Sequence, residues 1–134
     1  FKKQNLNTKV IYFSINYDGF FKFFPKHKDD QYVLKLFNKD QESDKGIGQK
    51  AVGKNCSQII NKLFSKSHKT FVFDSSWDVS NNKKFQNMFI DFCENVLEKN
   101  KISLDRWLDF RRENIKKNQS KLFLRNKDFL ALKL

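Results

Sequence analysis

The stretch Gly46-Ile-Gly-Gln-Lys-Ala-Val-Gly-Lys-Asn-Cys56, followed by Thr70-Phe-Val-Phe-Asp74, admits two readings that lead to different proteins. Gly48, Gly53 and Lys54 have the spacing of a phosphate-binding loop, and Phe71-Val-Phe-Asp74 has the form of the acidic strand that holds its magnesium. Such a loop works because glycines let backbone N–H groups wrap the phosphates, a lysine neutralises them, and a Ser or Thr hydroxyl ligates the metal. Here the final position is Asn55, whose amide oxygen is a poor substitute for that hydroxyl. A phosphate loop also follows directly on a buried strand, whereas the apolar run ending at Phe37 stops well before Gly48. The second reading is a surface loop entering a helix, with Gly53 placed where the helix packs closely on a sheet. Val52, Cys56, Ile59, Ile60, Leu63 and Phe64 then fall at helical spacing, and Thr70–Asp74 is a short strand expected to be buried and central.

Working outward, Lys9–Ser14 (KVIYFS) and Gly19–Phe24 (GFFKFF) read as strands. Asn16-Tyr-Asp-Gly19 between them is a turn signal, with Asp18-Gly19 supplying the positive-φ pair of a tight hairpin. Gln31–Phe37 (QYVLKLF) alternates and is expected to be a third strand. Downstream, Ser80-Asn-Asn82 offers a cap for a helix carrying Phe85, Met88, Phe89, Phe92, Val96 and Leu97 on one face. Ser103 offers a cap for a further helix running to about Asn118, and Phe123, Phe129, Leu130 and Leu132 alternate with basic residues. The expected fold class is α/β: a three-stranded antiparallel meander followed by α-β-α, forming a mixed sheet with helices. The expected division is a core domain at 1–98 and a basic, partly helical extension at 99–134.

Net charge is +12, from 27 Lys and Arg against 15 Asp and Glu, which favours a polyanionic partner. Eleven basic and four acidic residues fall from Lys99 to Leu134, so more than half of the excess sits in the last quarter. Alanine occurs only at Ala51 and Ala131 while Phe occurs 16 times, a profile that AT-rich codons produce. Such drift explains the lysines but not the arginines clustered between Arg106 and Arg125. The candidate RNA contacts are Lys2, Lys3, Lys9, Lys22, Lys26 and Lys28 around the expected hairpin, and Lys83 and Lys84 at a helix start. In the tail they are Arg106, Arg111, Arg112, Lys116, Lys117, Lys121, Arg125 and Lys127. Tyr12, Tyr17 and Trp77 are candidates for base stacking, and the phenylalanines are expected mostly in the core.

Other chemistries find less support. No 18-residue apolar run is present, so no membrane span is expected. There is no signal-peptide pattern, and a first residue other than Met is compatible with removal of a transit peptide. Cys56 and Cys93 sit on apolar helix faces and read as small buried hydrophobes. Together with His27 and His68, both expected in solvent, they give no metal-ligand spacing. Ile15-Asn-Tyr-Asp-Gly19 resembles the nucleophile loop of haloacid-dehalogenase-type phosphatases, and Phe71–Ser76 their second strand. The nucleophile position is Asn16, however, which cannot form a phospho-aspartate. No catalytic residue, cofactor or small-molecule substrate is expected. A phosphate-ester or nucleotide hydrolase using Lys54 and Asp74 is the alternative class, and a stand-alone bacterial effector module the third.

Ala51-Val-Gly-Lys54 opening an amphipathic helix, then Phe71-Val-Phe-Asp74, a polar loop and a second helix, resembles the 5S-rRNA-binding large-subunit ribosomal protein family, number eighteen in the universal naming. The resemblance spans roughly Thr8 to Leu97. The Tyr-His-Gly-Arg element of that family is absent, with Asn81-Asn-Lys-Lys84 in its place, and Trp77-Asp-Val-Ser80 is more like a diverged organellar version. The small-subunit platform protein family, number eleven, shares the fold, and Ser14–Gly19 and the basic tail are similar to it. The resemblance implies a ribonuclease-H-like fold of the translational-machinery type. It further implies a structural subunit of a mitochondrial ribosome, with rRNA and neighbouring ribosomal proteins as partners.

Overall fold

A computed structural model of the chain describes residues 8–44, 46, 48, 49 and 51–134. Lys2 and Lys3 lie outside the described residues. The elements in chain order are β1 (Val10–Ile15), β2 (Phe21–Phe24), α1 (Asp30–Gln41), α2 (Cys56–Phe64), β3 (His68–Asp74), β4 (Trp77–Asp78), α3 (Lys83–Lys99), α4 (Asp105–Lys116), β5 (Lys121–Leu124) and β6 (Lys127–Lys133). The strands form two three-stranded antiparallel sheets, ordered β1-β6-β3 and β2-β5-β4.

The two sheets are halves of one bent ladder. β6 and β5 are separated only by Arg125-Asn126, and β3 and β4 only by Ser75-Ser76. Their pairing stays in step across the break, Asp74 opposite Lys127 and Trp77 opposite Leu124, and Ser75 N donates to Asn126 O at 3.2 Å. On the other side, Asn16–Phe20 are five residues facing the same two. Side chains alternate along a strand, so an unbroken register carries the alternation through the bend. Phe129 and Ala131 of β6 face α2, packing with Ile11, Ile15 and Phe64. Leu122 and Leu124 of β5 have the other parity and face α1, α3 and α4, packing with Phe21, Phe23, Phe89, Ile90, Trp107 and Ile115. The ladder thus buries one face in its first half and the opposite face in its second.

Several expectations are corrected. β1 and β2 do not pair with each other as a hairpin: β1 pairs with β6 and β2 with β5. Gln31–Phe37 is not a strand but the middle of α1, where Val33 and Phe37 are one turn apart and both buried. Among the described residues no meander forms, and the sheets are wholly antiparallel rather than mixed. β3 is an edge strand with Val72 and Phe73 exposed, because β6 takes the central place. The stretch after residue 98 is not an appendage: it supplies the central strand of both sheets, and Trp107, Leu108 and Ile115 lie in the larger core. The strand pairs therefore run across the expected division at 98/99.

Two polar clusters hold the bent ladder. At the bend, Asp18 is buried and its carboxylate accepts from Ser57 N (3.2 Å) and Ser57 Oγ (2.8 Å) at the start of α2. A carboxylate there also meets the positive end of the helix dipole. Asp18 N donates to Arg125 O at 2.6 Å, and the Arg125 guanidinium donates back to Asp18 O. Tyr17, at φ 75, donates its N–H to Asn126 Oδ1 at 2.7 Å and its hydroxyl to Asn38 Oδ1 at 2.6 Å. Gly19 (φ 77) sits so close to Lys54 that an added Cβ would meet Lys54 Cβ at 2.5 Å, so only glycine fits. In the larger core, Arg111 is 0% exposed. It pairs with Asp30, donates to Pro25 O at 2.6 Å and lies over the Phe23 ring at 4.7 Å. Trp107 Nε1 also donates to Asp30, at 2.8 Å. Burial pulls the Arg111 guanidinium below its ordinary value, and the Asp30 carboxylate acts in the opposite direction.

Three outcomes follow. Asp18→Ala orphans the Ser57 donors and uncaps α2, and should cost about 2 kcal/mol in urea unfolding, with Asp18→Asn costing less. Arg111→Met leaves Asp30 without its cation in the core and should cost about 3 kcal/mol by the same measurement. The thiols of Cys56 and Cys93 are both raised by burial, but Cys56 is half-buried and Cys93 wholly enclosed. Native protein should therefore expose one slowly reacting thiol to a disulfide reagent, and denatured protein two.

Candidate nucleic-acid interface

The face of β2-β5-β4 turned away from α1, α3 and α4 carries interleaved cations and rings. Phe21 and Phe23 point into the core, so Lys22 and Phe24 point out. Leu122 and Leu124 likewise point in, leaving Lys121 and Phe123 outside. Register places Lys22 opposite Phe123 and Phe24 opposite Lys121. The pairing continues one step through Arg125 N donating to Phe20 O at 2.9 Å, which sets Phe20 beside Arg125. Three successive rows each hold one ring and one cation, and the ring changes side at every row. Lys22 Nζ lies 4.6 Å from the Phe24 ring centre and the Arg125 guanidinium 5.7 Å from that of Phe20. Phe20 is 36% exposed and Phe123 37%.

The borders of this face differ in charge. On the β4 side Asp78 stands opposite Phe123. Hydrogen bonds from Ser80 Oγ and Ser80 N hold its carboxyl below the usual range, and Lys121 adds to this. Beyond β2, a hollow of about 450 Å3 lies between the strand and the start of α1, where Lys22, Lys26 and His27 line it together with Asp30. Of the candidate contacts, then, Lys22, Lys26, Lys121 and Arg125 are brought together.

The remaining candidates scatter. Arg111 is corrected outright: with no exposed surface and its charge matched by Asp30, it cannot reach RNA. Arg112 bridges α4 to Asp91 and Glu94 of α3, Lys117 pairs with Glu113, and Lys127 pairs with Asp74. Lys83 donates to Lys116 O at 3.3 Å, so the start of α3 is tied to the end of α4, with Lys84 and Lys116 exposed beside them. The Phe85 N–H at that helix start is already taken by the Asn82 side chain at 2.9 Å. Lys9, Lys28 and Arg106 are exposed and distributed over the residue before β1, the loop before α1 and the first turn of α4.

The residues of the alternative chemistries are engaged in the scaffold. In the glycine-rich loop, Gly46 N and Gly48 N both donate to Asp44 Oδ1, at 2.9 and 3.1 Å, so a carboxylate occupies the position a phosphate would need. Gly53 abuts Glu42 at the end of α1, where an added Cβ would meet Glu42 Cγ at 2.3 Å, rather than packing α2 on a sheet. Asp18 caps α2, and Asp74 accepts from Ser76. His68, expected in solvent, is buried between Ser67 Oγ (2.9 Å) and Thr8 O (3.2 Å). Tyr17 is turned inward, its hydroxyl raised by burial, and Trp77 meets Phe85 edge-on across 6.2 Å. Tyr12 is exposed on the other sheet, its hydroxyl raised by a hydrogen bond with Asp128.

Phe20 and Phe123 are exposed and Phe24 half-buried, against the expectation that the phenylalanines lie mostly in the core. The signal was present in Phe20-Phe-Lys-Phe-Phe24 and Lys121-Leu-Phe123, where alternate rings must face outward once either segment is a strand with one buried face. The element order on which the ribosomal resemblance rests, β-β-β-α-β-α, is replaced by β-β-α-α-β-β-α-α-β-β. No protein-family model matches the chain, and no curated protein matches it either.

Proposed function

We propose that the protein is an RNA-binding subunit rather than an enzyme, and that its RNA is the rRNA of an organellar ribosome. The observation that carries RNA binding is the helix-free face on which Lys22, Lys121 and Arg125 converge, with Lys26 at its border, in a chain of net charge +12. Clustered cations on a flat surface release counterions from a phosphate backbone, which supplies affinity without sequence preference. Arginine adds a forked donor suited to phosphate. The setting in a ribosome rests on Ala51–Lys54, Phe71–Asp74 and the organellar character of Trp77–Ser80, and on neighbouring ribosomal proteins as the further partners.

Reversing Lys22 and Lys121 together to Glu should weaken RNA binding at least tenfold and reduce the slope of log affinity against log salt by roughly 1.4, about 0.7 for each lost single-strand phosphate contact. Lys62→Glu with Lys66→Glu, both exposed at and just past the end of α2, is the control of equal charge change and should change both far less. A double variant indistinguishable from the control removes this face from RNA binding. For the setting, the tagged protein should sediment with organellar ribosomal particles from its own cells, and recovery only in the free fraction refutes the ribosomal assignment.

A further inference from the structure

We infer that the chequered face of β2 and β5 binds unpaired RNA, with bases stacked on Phe123 and its neighbouring rings and phosphates held by the cations between them. The inference rests on the RNA reading above and adds to it the strandedness of the ligand. Every base presents a flat π-face, and stacking on an aromatic side chain is the recurrent way proteins hold single strands. A duplex has no base face to offer except at its ends.

The geometry favours this mode over a cationic patch for duplex phosphates. Phe20/Arg125, Lys22/Phe123 and Phe24/Lys121 are consecutive cross-strand rows, so no ring is opposite a ring and no cation opposite a cation. Each ring therefore has cations beside it in both directions, about the distance of directly opposed or diagonal side chains, roughly 5–8 Å. That interleaves stacking positions with phosphate positions, as successive nucleotides of a single strand require. Phe123 lies on the central strand and remains 37% exposed, on a face that no helix covers among the described residues. In the free protein Lys22 and Arg125 rest over Phe24 and Phe20 at 4.6 and 5.7 Å. The Lys22 contact holds an ammonium at a ring face, from which a phosphate draws it while a base takes its place, whereas Arg125 stays beside Phe20, anchored on Asp18 O. The side chains of the rows are rings and cations without acceptors, so they recognise a backbone and π-faces rather than a particular base edge.

The test is fluorescence anisotropy of a labelled oligouridylate and of a blunt oligo(U)·oligo(A) duplex of equal length, titrated with the full chain. Phe123→Leu keeps an apolar side chain on the strand but removes the π-face, and Phe123→Trp enlarges it. Expected is tighter binding of the single strand than of the duplex, a loss of about tenfold or more in single-strand affinity for Phe123→Leu, and recovery for Phe123→Trp. Duplex affinity and the salt slope should be unchanged in both variants, with circular dichroism confirming the same fold. Single-strand affinity unchanged in Phe123→Leu, or a duplex bound as tightly as the single strand, overturns stacking while leaving RNA binding intact. No binding of either RNA by the unmodified chain overturns both.

Discussion

The structure depends on the bend at Arg125-Asn126. Ten residues pair on one side of the central strand and nine on the other, and helices of 9 to 17 residues have to cover this ladder. The bend resolves the mismatch by letting α2 cover one face of the first half and the other three helices the opposite face of the second. Such a bend exposes backbone groups that a straight ladder would pair, and each buried one needs a partner. Asn126 Oδ1 takes the Tyr17 N–H, Arg125 takes Asp18 O, and Asp18 in turn caps α2. One cluster thus satisfies the broken ladder and fixes the helix that covers it.

The second cluster explains why so much of the basic tail is not free. Arg111 is in the core because α4 packs against β2 and α1, and a guanidinium buried there is tolerated only with Asp30, Pro25 O and flanking rings around it. Arg112, one residue on, faces α3 and is met by two carboxylates. Charge counted along the sequence therefore overstates the charge presented to a partner. The cations that remain available on one surface come from strands, where alternation forces them outward, more than from the helix where they are most crowded.

The local elements were legible. Helices at α2 and α3, the cap at Asn82, and strands at β1, β2 and β3 follow from periodicity and capping chemistry, although Val52, Ile59, Met88 and Phe92 of the two expected stripes are exposed. Gln31–Phe37 was not, because seven alternating residues are also compatible with a helix whose Val33 and Phe37 are one turn apart, and burial alone decides. Strand partners were the larger failure. β1 pairs with residues more than 110 positions away, and no local pattern specifies that. Asp18-Gly19 carries a true hairpin signal, yet Tyr17 and Gly19 use their positive φ to turn the chain past Asn126 instead. The site follows the same rule: charge marks its lysines, but its rings face outward only because β2 and β5 are neighbours, which no local pattern specifies.

Fold and proposed site are consequently one problem. A slip of one residue between β2 and β5 would exchange Leu122 and Leu124 for Phe123 and Lys121, placing an ammonium in the core and leucines in solvent. The register that avoids this is the register that produces the rows of ring and cation. It is fixed at one end by the Asp18–Arg125–Asn126 bend, whose Arg125 also belongs to the first row. Arg125 spends its Nε and one terminal nitrogen on Asp18 O and still leans over Phe20, so it is held in position before any ligand arrives. A cation immobilised by the fold gives up less conformational entropy on meeting a phosphate than a free lysine does. The bend that lets the helices cover the sheet therefore also organises the most ordered cation of its open face.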